Sequence, residues 1–103
     1  MSTLAPISIT ASGDTTVIDN TAMLHNGAPV VLEILAVGLT TSADVNLTFK
    51  DGTQALTGAM PLRELLLARS DHPWFRVSAG SDFVINASAS VTIGGWVEYR
   101  VAL

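Results

Sequence analysis

From residue 81 to residue 101 the chain reads SDFVINASASVTIGGWVEYRV, and its apolar residues fall on alternate positions. Phe83, Ile85 and Ala87 are followed in the same phase by Val91, Ile93, Gly95, Val97, Tyr99 and Val101. The intervening positions are mostly polar, with Val84 and Trp96 as exceptions. Side chains alternate across a strand, so a period of two gives one apolar and one polar face. Held this long, it predicts a half-buried antiparallel hairpin, residues 82–87 and 91–101, and with it an all-β domain. Gly94 and Gly95 interrupt the last strand. Adjacent glycines there predict either a bulge or a close approach by another backbone. A bulge would turn Trp96 inward, whereas a regular strand presents it outward.

The same alternation recurs upstream. Ile7 and Ile9 alternate with Ser8 and Thr10, and Val45, Leu47 and Phe49 alternate with Asn46, Thr48 and Lys50. Ser12-Gly13-Asp14, Asn26-Gly27 and Asp51-Gly52 are turn sequences. Residues 30–39, VVLEILAVGL, are apolar on both faces except for Glu33. That pattern suits a central strand covered on both sides, or one with a face packed on a neighbouring subunit. Glu33 is expected to be ion-paired or at an edge, because an unpaired buried charge is costly. Residues 63–69 contain Leu65, Leu66 and Leu67 in succession. Good helix formers compete here with a segment too short to be a stable helix, and a strand or extended loop is expected. In a strand these leucines cannot all face one core, so at least one points to solvent or to a partner. Together the segments predict an antiparallel β-sandwich of about eight strands, of the jelly-roll type, in one domain spanning residues 1–103. Residues 1–5 are expected as an arm, flexible or partner-bound, with Met1 and Leu4 as its apolar contacts.

Composition adds an expectation of association. Only 14% of the 103 residues are charged while 49% are hydrophobic, against about 25% charged in typical soluble domains. A domain this small has a large surface for its volume, so part of that surface is expected to be covered by other chains. The net charge is −4 and the five basic residues are dispersed, which disfavours nucleic acid and anionic membranes as partners. No apolar run reaches the length of a membrane span.

Candidate chemistry is sparse. The chain has no cysteine and two histidines, His25 and His72. Each histidine has at most one carboxylate neighbour, Asp19 or Asp71, short of the three or four ligands of a zinc site. Ser70, Asp71 and His72 are adjacent in sequence, but a triad is assembled by the fold around an oxyanion hole. No Gly-x-Ser-x-Gly elbow is present. No enzyme, metal or cofactor is expected. Trp96, if outward, is a candidate interface residue, since tryptophan is enriched at protein interfaces.

Three stretches carry a resemblance: ITASGDTTVID, VNLTFKDGTQALTGAMPL and WFRVSAGSDFVINASASVTIGGWVEYRV. As an ensemble the chain resembles small all-β virion proteins of tailed bacteriophages, of the capsid decoration or cement type. The leucine-rich LRELLLAR segment departs from that pattern, where a glycine-containing turn is expected. The resemblance implies a homotrimer on the outer surface of the capsid that contacts the major capsid protein and stabilises the shell. On that reading Met1, Leu4, Leu65, Leu66, Leu67 and Trp96 are the candidate subunit or capsid contacts. The alternative is a jelly-roll module of a tail, neck or fibre that touches a host surface or glycan, with Trp74 or Trp96 as the sugar platform.

Overall fold

The computed structural model describes residues 2–21, 23–70 and 72–102. Met1 and Asp71, both singled out in the sequence, lie outside the described residues. The described residues form strands and turns without a helix. The strands are β1 (Thr3–Ile9), β2 (Gly13–Ile18), β3 (Leu24–His25), β4 (Ala28–Pro29), β5 (Val31–Thr41), β6 (Val45–Asp51), β7 (Gln54–Ala55), β8 (Met60–Leu62), β9 (Leu65–Arg69), β10 (Phe75–Val77), β11 (Phe83–Ala87) and β12 (Ile93–Ala102). Twelve strands replace the expected eight, because several turns are flanked by two-residue pairings such as β3 with β4 around Asn26-Gly27. Asn26 and Gly27 have φ of 53° and 81°, the left-handed pair that a two-residue hairpin loop requires.

Two antiparallel five-stranded sheets share one core. The first has the order β1-β12-β5, with β9 and β10 side by side along the far edge of β5. The second has the order β2-β11-β6, with β7 and β8 along the far edge of β6. Ile7, Leu32, Val37, Ile93 and Val97 of the first sheet meet Ile18, Leu47, Phe49, Phe83 and Ile85 of the second in one buried cluster. Phe49 makes edge-to-face contacts with both Phe75 and Phe83, with ring centroids 5.7 Å apart in each pair. Polar side chains link the sheets at one end. Asn20, wholly buried, donates its amide to the Val30 carbonyl at 2.8 Å, and its backbone N–H donates to Asp82 at 2.9 Å.

The predicted terminal hairpin does not exist. β11 lies between β2 and β6 in the second sheet, and β12 lies between β1 and β5 in the first. The chain crosses from one sheet to the other between Ala87 and Ile93. Both strands alternate because each turns one face to the common core, from opposite sides. The expected arm is also corrected. Thr3, Leu4 and Ala5 belong to β1 and pair with Tyr99, Glu98 and Val97. Pro6, in the middle of β1, is tolerated there because β1 is an edge strand.

The apolar run 30–39 is explained by a bulge. Glu98 of β12 pairs with Ala36, and Tyr99 pairs with Ile34, so Leu35 is the extra residue of β5. The bulge switches which residues of β5 face the core, from Leu32 and Ile34 before it to Val37 and Leu39 after it. The outward set is therefore Glu33, Ala36, Gly38 and Thr40, small or polar residues interleaved with a fully apolar inward set.

Candidate functional site

Strand register assembles the outer face of the first sheet from four strands. Three rows run across it. Leu4, Glu98, Ala36 and Arg69 form the first, Pro6, Trp96, Gly38 and Leu67 the second, and Ser8, Gly94, Thr40 and Leu65 the third. β12 keeps its phase through Gly94 and Gly95, with no register shift there. Trp96 therefore stands on the outer face. It is only half-buried, and its indole lies over Gly38, where a Cβ would fall 2.6 Å from the ring.

This face gathers most of the apolar residues expected at an interface. Leu4, Leu65 and Leu67 are 66%, 59% and 63% exposed; Leu67 shares the row of Trp96, and Leu4 and Leu65 lie in the rows on either side of it. A shallow depression of about 260 Å³ between Leu4 and Trp96 is rimmed by Arg69 and Glu98. Those two residues pair at 3.5 Å, and Ser2 donates to the same Glu98 carboxylate at 2.6 Å. Leu66 is the exception to the expectation. It pairs opposite Leu39 and packs inward against the core, as a period of two requires for the middle residue of three. Met1 lies outside the described residues.

A second constellation lies farther along the same face. Glu33 of β5 stands directly between Arg100 of β12 and Arg76 of β10. Arg100 donates from Nε to Glu33 Oε1 at 2.7 Å, and Arg76 donates from Nε to Glu33 Oε2 at 3.0 Å. The hydrogen bond from Arg100, followed by that from Arg76, holds the Glu33 carboxyl below its ordinary value against an opposing desolvation. Two guanidiniums over one carboxylate leave this group with a net positive charge. Elsewhere Lys50 pairs with Asp14, Arg63 with Asp44 and Arg69 with Glu98, one to one. Glu33 was flagged in the sequence by its apolar surroundings. Its partners, 43 and 67 residues away, carried no local signal.

The remaining candidates stay apart. His25 and His72 are both exposed. Among the described residues no group of three or more His, Cys, Asp or Glu is placed to hold a metal ion. Trp74, half exposed, closes one side of an apolar cavity of about 190 Å³ between the sheets, next to Phe49, Met60 and Leu66.

Comparison with protein-family models, with curated proteins and with solved structures returned no match. Leucine and tryptophan over a floor of alanine and glycine make a flat surface suited to covering by another polypeptide.

Proposed function

We propose that this chain is a structural component of a tailed-bacteriophage virion, a capsid decoration protein that assembles as a homotrimer on the outside of the head and stabilises the shell. The observation that carries the reading is the outer face of the first sheet. Leu4, Leu65 and Leu67 lie there more than half exposed around Trp96. Covering each leucine would contribute about 1–2 kcal/mol, enough for modest contacts that multiply when a trimer attaches to a lattice. A closed trimer places this face against a different surface of the next copy or against the major capsid protein.

The topology supports the same reading. Take β1, β2, β5, β6, β8, β9, β11 and β12 as eight successive strands. With the short β3, β4, β7 and β10 set aside, the sheets have the orders first-eighth-third-sixth and second-seventh-fourth-fifth, which supports reading the fold as a jelly-roll β-sandwich. The resemblance to phage shell proteins in the three stretches quoted above points in the same direction. The alternative remains a jelly-roll module of a tail, neck or fibre that touches a host glycan, with the half-exposed Trp74 or the outer ring face of Trp96 as its platform.

Sedimentation of the purified protein, together with the heat resistance of heads incubated with it, tests the proposal. A trimer that raises the temperature at which heads rupture is expected. A monomer that leaves that temperature unchanged rejects the reading.

A further inference from the structure

The row formed by Arg76, Glu33 and Arg100 has a use beyond holding β10 and β12 to β5. Glu33 is buried, yet both of its oxygens are engaged from the sides, one by each arginine. Each arginine contacts Glu33 through Nε, which leaves its Nη edge for other partners. A guanidinium has five donors, so most of the donor capacity of this pair is unspent. Glu33 acts as a spacer that fixes the two guanidiniums across three adjacent strands. The side chains of Arg76 and Arg100 remain 71% and 40% exposed. They line an open groove of about 620 Å³ whose other walls are Val31, Val101 and Ala102.

Charge decides what fits. This is the one contact group among the described residues in which cations outnumber carboxylates, two to one, in a chain of net charge −4. Among the described residues the pairing is therefore incomplete by one negative charge. Paired, preorganised guanidiniums match the planar geometry of a carboxylate. The aliphatic walls suit an apolar residue beside that carboxylate. A polyanion is disfavoured, because the arginines elsewhere are paired one to one and most of the surplus charge is acidic.

We propose that the Arg76–Glu33–Arg100 groove is a recognition site for a carboxylate, borne by an acidic side chain next to an apolar residue in a partner polypeptide. The site stands apart from the apolar rows around Trp96 and does not depend on whether the chain decorates a capsid.

The probe is a capped Glu-Val dipeptide, titrated into the full chain while the arginine Nε–H and backbone amide signals are followed by NMR. Saturable shifts are expected at Arg76, Arg100, Val101 and Ala102, with Arg63 and Arg69 unmoved. Arg76→Gln keeps Glu33 paired with Arg100 and is expected to retain the dispersed spectrum. It should weaken binding at least about tenfold, as loss of a charge-assisted hydrogen bond implies. Inorganic phosphate, titrated in parallel, is expected to bind more weakly than the peptide. Four outcomes would overturn the site: no saturable shift, equal shifts at Arg63 and Arg69, undiminished binding by Arg76→Gln, or tighter binding of phosphate. Because the dipeptide is monovalent and reads only this row, its failure leaves the solution mass and head-stability results untouched.

Discussion

The indole of Trp96 rests on the backbone of Gly38, directly opposite it in the register of β12 and β5. A Cβ at Gly38 would lie 2.6 Å from Cε2 and 2.7 Å from Cζ2 and Nε1 of the ring, inside carbon contact distance. Gly38→Ala is therefore expected to push the ring off the sheet toward water, at a cost of about 1–3 kcal/mol. With Trp74 replaced by Phe to isolate the signal, the emission of Trp96 should shift to the red. Unchanged emission and unchanged melting temperature would show that the ring does not sit there.

Gly95 is expected to be less forgiving. Its φ is +152°, and a Cβ would overlap the carbonyl oxygen of Gly38 and crowd Leu39 Cα. The obstacle is backbone in the middle of a sheet, so relief requires moving a strand. Gly95→Ala should cost about 3 kcal/mol or more. Urea denaturation measures this, and a wild-type midpoint would contradict the close approach of β12 to β5.

The three leucines of β9 should separate by face. Leu65→Ser and Leu67→Ser are expected to change folding stability by no more than about 0.5 kcal/mol, measured on dilute monomer. Leu66→Ala, which removes a side chain packed on the core, should cost about 2 kcal/mol. If the outer face is an interface, only the two serine variants lower the mass in solution while keeping the fold. Equal destabilisation by all three would remove the distinction between faces.

Acid should weaken the protein in a defined window. Arg100 and Arg76 hold the Glu33 carboxyl below its ordinary value of 4.5, and Lys50 and Asn86 hold Asp14 below 3.8. A carboxyl with a depressed value in the folded state binds protons more readily when unfolded. Its contribution is therefore complete above the unfolded value and is lost as pH falls through the folded one. The melting temperature should be nearly flat from neutral pH to about pH 5, then decline through and below 4.5. Glu33→Gln should lower stability at neutral pH and flatten the upper part of that decline. A variant profile parallel to wild type would mean the ion pairs add nothing.

Much of this fold was legible because burial on one face writes itself as alternation. β6, β11 and β12 were located closely from Phe49, Ile85 and Val97 and their neighbours. Alternation says that a strand has a core side, but not which strand lies beside it, so β11 and β12 were joined into a hairpin that the structure divides between two sheets. In VVLEILAVGL the bulge at Leu35 reverses the phase, and two single-faced segments read as one double-faced strand. Spacing required at least one of Leu65, Leu66 and Leu67 to face outward, and the pairing of β9 with β5 makes them Leu65 and Leu67. The Glu33 cluster did not, because Arg76 and Arg100 reach it only through pairings made across the whole chain.

The position of β12 sets an order on how the molecule can be made. The last strand of this sequence lies inside the first sheet, between β1 and β5, and until it arrives those two strands have no common neighbour. Before residue 83 the second sheet can form only in part, since β11 (Phe83–Ala87) is what joins β2 to β6. Pairings this distant in sequence make folding slow and leave strand edges open in the meantime. A nascent chain stalled before Ile93 is expected to present the edge of β5 as a template for other chains. Arrival of β12 between β1 and β5, rather than emergence of the earlier strands, is then the step that closes this edge against aggregation.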